Sequence, residues 1–259
     1  MKRQPGRLMP SLLKTPALER LRSLLTARDI AGAEDLLASR TWAKYDASHP
    51  VFELLRWENQ LPAADVVRLL EALARGGWDP RSLVSGAVPY DAGASRAVQE
   101  QLSAPFMSRA CMTASLARRV AALSKPEHRQ AVAQMLEAHG VGPDAGAWRE
   151  AHGRLDFPLM KFWEHRGHPL PPPSDRLTMA MEGSNLHRAS LKPDLAAAGR
   201  LLDELASKGW FPSETHMADA VADARERNRL VFLAAWLHRH PKAASWPLKT
   251  RAEFLEVLW

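Results

Sequence analysis

Two distant stretches of this chain end in nearly the same way, and that duplication restricts the fold more than any other feature. Residues 68–80 read RLLEALARGGWDP and residues 200–212 read RLLDELASKGWFP. Eight of the thirteen positions are identical, Arg68, Leu69, Leu70, Leu73, Ala74, Gly77, Trp78 and Pro80 in the first copy among them. Leu69, Leu70 and Leu73 have the spacing of one apolar helical face. Gly77 follows where a helix is commonly stopped by a residue in the left-handed region, which glycine enters without steric cost. With Gly77 at C′, Leu73 falls at C3 and Trp78 at C″, the two positions whose side chains touch in a Schellman ending. Pro80 prevents the helix from resuming. The same order recurs as Leu205, Gly209, Trp210, Pro212, as Leu136, Gly140, Val141, Pro143, and more loosely as Trp163, Gly167, His168, Pro169.

The offset of 132 residues between the copies is four steps of 33. Stepping by 33 from Leu69-Leu70 meets Leu36-Leu37, Met135-Leu136, Leu201-Leu202 and Ala234-Ala235, with a weak match at Leu102 and a slip near His168. A helix is expected before each stopped helix. Residues 48–59 place Pro50 in a first turn, where its missing N–H costs nothing, and 214–228 precede a helix over 230–239. A helix pair this short cannot bury its apolar face alone, so neighbouring pairs must stack. The expected fold is all-α, a solenoid of stacked helix-turn-helix units with a period near 33 residues.

This pattern resembles a degenerate ankyrin-repeat array. Residues 49–80 carry the likeness: His49-Pro50 stands where Thr-Pro is usual, Val66-Val67-Arg68-Leu69-Leu70 for the Val-x-Leu-Leu helix, and Gly77-Trp78-Asp79-Pro80 for the loop. The family's Asp-x-x-Gly finger is absent after each Gly-Trp-x-Pro, and Thr-Pro-Leu-His is nowhere intact. The resemblance implies a basic N-terminal arm over 1–16, an ankyrin-like helical array over 17–247 and a C-terminal cap over 248–259. It also implies partner contacts at loop tips and on exposed first helices. Those positions are Arg56, Trp57, Trp78, Asp79, Arg81, Arg149, His168, Trp210, Phe211 and Arg225.

Charge offers a second possibility. The chain has 259 residues and a formal net charge of +6. Residues 1–28 hold seven Lys+Arg against Glu19, a surplus of 7 − 1 = 6, so the rest of the chain balances. A later basic run, Arg225, Arg227, Arg229, Arg239, Lys242, Lys249 and Arg251, meets only Glu226 across 225–251. Such segments could neutralise nucleic-acid phosphates, yet no helix-turn-helix, zinc or RNA-binding fingerprint accompanies them. Leu18, Leu21, Leu24 and Leu25 are read as the first helix of the array, so membrane-surface contact is not expected. No apolar run approaches the roughly 18–20 residues of a membrane span.

Catalytic chemistry finds little support in the residues. Cys111 is the single cysteine, on an apolar helical stripe. The pairs His165/His168 and His238/His240 lack the further convergent ligands zinc needs. The stretch GVGPDAG at 140–146 is not a dinucleotide loop. No cofactor, metal or enzymatic activity is expected. The expected function is a non-catalytic protein-interaction module or scaffold in the cytoplasm, of the sort used as an effector, inhibitor or immunity-type protein in bacteria or phage. The alternative is a nucleic-acid-binding helical repeat protein using segments 1–28 and 225–251.

Overall fold

In the computed structural model the described residues are 16–39, 44–81, 116–182, 194–217 and 227–240. They are helical, with no strand among them. Two compact units divide at Val141 and Gly142. Cys111, Trp42, Trp246, Trp259, Arg225, the arm 1–15 and the cap 248–259 lie outside the described residues.

The first unit contains α1 (Pro16–Thr26), α2 (Ile30–Ser39), α3 (Lys44–Arg56), a 3-10 turn (Trp57–Asn59), α4 (Ala63–Arg75), α5 (Leu116–Ala121) and α6 (Pro126–Ala138). Sequential helices pair: α1 with α2, α3 with α4, and α5 with α6. Second members then meet one another, α4 packing against both α2 and α6, and α1 touches α3. The reason is visible in α4, whose buried Val66, Leu69, Leu70 and Leu73 fall at i, i+3, i+4 and i+7. Each leucine so buried stabilises the fold by about 1.5–3 kcal/mol. Glu34 of α2 holds both Arg68 and Arg75 of α4 at the rim of this contact. His128 of α6 is buried, and its Nε2–H donates to the Leu61 carbonyl at 2.9 Å. Leu18, Leu21 and Leu25 of α1 are buried in the same core.

The second unit contains α7 (Ala145–Gly153), α8 (Phe157–His165), α9 (Pro173–Glu182), α10 (Leu195–Ser207) and α11 (Arg227–Arg239). Helix α7 packs on α8 and α9, α10 packs on α11, and α9 touches both α10 and α11. Ala198, Leu201, Leu202 and Leu205 repeat in α10 the register of α4. Arg239 of α11 crosses Gly199, where any Cβ would collide with its guanidinium, and grips Asp203 of α10 with Nε–H at 2.7 Å and Nη2–H at 3.1 Å.

The four helix stops read from the glycines are present. Gly77, Gly140, Gly167 and Gly209 have φ of 94°, 73°, 86° and 82°. At each, the C″ amide donates to the C3 carbonyl: Trp78 to Leu73 at 3.2 Å, Val141 to Leu136 at 2.9 Å, His168 to Trp163 at 3.1 Å, and Trp210 to Leu205 at 3.0 Å. Each glycine amide donates to C2, Gly77 to Ala74 at 3.0 Å for example. These are complete Schellman motifs.

Two further endings have the same bonding without glycine. Arg28 (φ 56°) and Leu155 (φ 53°) occupy C′ at the ends of α1 and α7. The residue after each is an aspartate that serves both helices it joins. Asp29 N–H donates to Leu24 O at 2.9 Å, while its Oδ1 accepts from Gly32 N–H at 2.9 Å. Asp156 N–H donates to Ala151 O at 2.9 Å, while its Oδ1 accepts from Leu159 N–H at 3.2 Å. The C″ residue of one helix is thus the cap of the next.

One helix start differs from expectation. Helix α3 begins at Lys44 rather than near residue 48, which puts Pro50 in its interior. The missing amide and ring clash cost about 3 kcal/mol there. Burial of Val51, Phe52, Leu54 and Leu55 immediately after it offsets that cost.

A Cβ on Gly77 or Gly209 would meet nothing within 4 Å, so substitution there strains only the backbone. Gly77→Val and Gly209→Val should each lower unfolding free energy by about 1–3 kcal/mol in urea titrations. Exposed Arg28 bears the converse strain. Arg28→Gly should raise stability by roughly 1 kcal/mol, and a loss in that titration would mean its side chain contributes more than its backbone costs.

Candidate functional site

The expected contact positions fall into different environments. In the first unit, Arg56 is exposed, and Trp57 is half-buried with its indole N–H donating to Glu53 Oε1 at 3.3 Å. Trp78 is only 4% exposed. It occupies the C″ position of the helix stop, with its side chain buried. Asp79 and Arg81 form a tight turn in which Asp79 Oδ1 accepts from Arg81 N–H at 2.9 Å. The Arg81 Nε–H donates to the His139 carbonyl at 2.9 Å, satisfying an orphan carbonyl at the end of α6. Arg81 is therefore engaged within its own unit.

In the second unit, exposed Arg149 lies 3.8 Å from Glu182. The half-buried ring of His168 rests where a Cβ on Gly142 would overlap it, which explains a glycine at 142. Trp210 and Phe211 are half-exposed at the loop that ends α10. Trp210 meets His216 edge-on at 5.5 Å between ring centroids, and Phe211 lies 6.5 Å from His240. Trp236 supports this group from below: it is fully buried, 4.4 Å from the His240 ring, and its indole N–H donates to Pro212 O at 2.9 Å. The backbone of this loop is thus held at both ends, by the Schellman bonds on one side and Trp236 on the other.

Trp78 and Trp210 make the comparison that isolates the candidate. They occupy the same position of the same motif with the same backbone bonding, yet one is buried and the other is half in solvent. An amphipathic ring on a rigid loop, partly exposed, is the composition of a protein-binding hot spot. Trp210 and Phe211 are the expected residues that the structure brings together.

A buried polar network in the same unit had no counterpart in the sequence reading. His152 is fully buried on α7, and Arg176 of α9 is 2% exposed. The His152 Nδ1–H donates to Trp148 O at 2.8 Å, and Nε2 accepts from Arg176 Nε–H at 3.0 Å. Arg176 Nη2–H reaches Glu204 Oε1 of α10 at 2.7 Å. Both ring nitrogens are committed, so the imidazole is neutral with a fixed tautomer. Burial lowers the His152 pKa to about 4; the hydrogen bond to the Trp148 carbonyl opposes it, the Arg176 charge adds to the lowering, and Glu204 raises it slightly. Trp148 stacks edge-on against Trp163 at 5.0 Å and covers the network. No solvent-exposed atom of His152 is left for a substrate, so the network serves to align α7, α9 and α10.

Among the described residues, no group of three or more His, Cys, Asp or Glu is arranged to hold a metal, and no helix is long and apolar enough to cross a membrane. Comparisons with protein-family models, with curated proteins and with solved structures return no match.

The depressed histidine pKa sets a pH dependence. In the unfolded chain the imidazole takes a proton near its ordinary value of 6.5; in the folded unit it resists until about 4. Stability is therefore full above the ordinary value and falls as pH drops through the window between the two, by about 3 kcal/mol in total. Denaturant titrations at pH 7 and pH 4 should show this loss, and His152→Gln should remove most of the slope.

Proposed function

We propose that this protein is a non-catalytic protein-interaction module made of repeated helix pairs, an ankyrin-like helical array whose loop tips contact a protein partner. The observation that carries the reading is the half-exposed Trp210-Phe211 pair on a loop that is rigid from both sides. A pre-ordered aromatic loses little conformational entropy on binding, which is why such residues dominate interface energetics.

The recurring architecture supports the repeat part of the reading. Four glycine stops share one geometry, and two of them are linked to Arg-Leu-Leu helices in matching register. Pairing of sequential helices and contact between second members is the packing a stacked helix-pair array requires. A cytoplasmic role as an effector, inhibitor or immunity-type protein in bacteria or phage belongs to the same proposal.

Nucleic-acid binding through 1–28 and 225–251 is the competing class. Affinity capture from native lysate at moderate salt, with and without nuclease, separates the two. The expected outcome is a protein partner retained after nuclease, weakened at least about tenfold by Trp210→Ala combined with Phe211→Ala. A partner set that collapses with nuclease would overturn the proposal in favour of nucleic acid.

A further inference from the structure

The connection between α8 and α9 holds more proline than either helix needs. From residue 168 it reads HPLPPP, so four of the chain's 19 prolines fall within positions 169–173. Pro169 follows the Gly167 stop and keeps α8 from resuming. Pro173 opens α9, in the first turn, where the missing N–H costs nothing. Pro171 and Pro172 do neither. The stops at Gly77, Gly140 and Gly209 are each followed by a single proline, Pro80, Pro143 or Pro212.

These residues have almost no conformational choice. Proline fixes φ at about −65°, which applies at 169, 171, 172 and 173. A residue before proline is driven out of the α region towards extended or polyproline II backbone, which covers 168, 170, 171 and 172. At least one of the two rules holds every position from 168 to 172, and the structure has 168–172 in neither helix nor turn. A polyproline II strand turns once every three residues, so positions three apart share an edge. Exposure follows that period: Pro169 and Pro172 are exposed, while Leu170, Pro171 and Pro173 are half-buried. Both ends are tied down. His168 N–H donates to Trp163 O at 3.1 Å, and Pro172 O accepts from Arg176 N–H at 3.0 Å. Between them the carbonyls of Pro169, Leu170 and Pro171 accept no backbone hydrogen bond among the described residues.

We infer that residues 168–173 form a recognition strand for a partner protein whose shallow groove is lined by aromatic side chains. Grooves of that kind take Pro-x-x-Pro segments in polyproline II form. Pro169 and Pro172 supply the two prolines on one exposed edge. Indole N–H and phenol O–H groups of such a groove can donate to the strand's carbonyls. A proline strand tied at both ends has little entropy left to lose on docking, so a short contact suffices. No Lys or Arg lies in 167–175, so a nucleic-acid strand finds no phosphate neutralisation here. The inference rests on the protein-interaction reading and names the class of one partner, bound through residues other than the Trp210-Phe211 pair.

The test measures binding of the full-length chain to a panel of purified SH3, WW and EVH1 domains by surface plasmon resonance. At least one of these domains should bind, and decaproline should displace the chain from it. P169A combined with P172A should weaken that binding at least about tenfold. Both prolines are exposed, so the helicity and unfolding midpoint of the double variant should stay close to the parent's. W210A combined with F211A should leave domain binding unchanged. Silence of the whole panel overturns the inference, as does unchanged affinity in the proline variant. Binding that decaproline does not displace also overturns it, whatever the fold of the variant. A silent panel, beside a nuclease-resistant partner captured through Trp210 and Phe211, means that this inference fails alone. Capture that collapses with nuclease overturns the interaction reading and this inference with it.

Discussion

A single residue held at positive φ decides where each of six helices among the described residues stops and which way the chain leaves. The two bonds it permits, from C″ to C3 and from C′ to C2, consume carbonyls that would otherwise be orphaned at the helix end. They also hold C″ against the last turn, so the residue after the stop is positioned by the backbone before any tertiary contact forms. Trp78 and Trp210 are placed this way, and so are Asp29 and Asp156, which carry the placement forward by capping the following helix. Two of these joints turn one helix directly into the next, Arg28-Asp29 from α1 to α2 and Leu155-Asp156 from α7 to α8, and the helices they join pack together.

The two units fill their interiors differently. The first relies on leucine stripes, with ion pairs such as Glu34 to Arg68 and Arg75 at the rim. Both bury an arginine, Arg129 on backbone carbonyls in the first and Arg176 in the second, but the second links it to a buried histidine and a glutamate. Arg176 is tolerated there because His152 stays neutral and Glu204 accepts from its Nη2–H, a buried arrangement that holds when its donors have acceptors. Protonation of His152 would set two positive charges side by side, beneath the Trp148–Trp163 pair.

Much of the helical framework was legible, because its signals are local. A leucine stripe and a glycine five residues after its last turn begins are adjacent in the chain, and both the stripe and the stop follow from steric rules that hold anywhere. Arg28 and Leu155 escaped notice for the same reason: without glycine, nothing in the local sequence marks a left-handed residue, and the strain is tolerated because the aspartate that follows caps the next helix. Pro50 misled, since its preference for a first turn was overridden by burial of the residues after it. The His152–Arg176–Glu204 network joins residues 24 and 28 positions apart. Its one sequence trace is that Arg176 shares a helical face with Leu177, Ala180 and Met181, an arginine where the stripe calls for an apolar residue. For the contact positions, sequence could locate the loop tips but could not tell a covered tip from an open one, as Trp78 and Trp210 illustrate.

That pair also separates two kinds of information in a repeated unit. The bonds that shape the Gly-Trp turn span no more than five residues, so a copy of the segment rebuilds the same turn wherever it is inserted. Whether the tryptophan is then hidden depends on what neighbouring chain lies against it, which the segment does not encode. Duplication of such a unit therefore copies a shape while leaving its surface open to divergence, so that the same residue is buried in one copy and partly exposed in another.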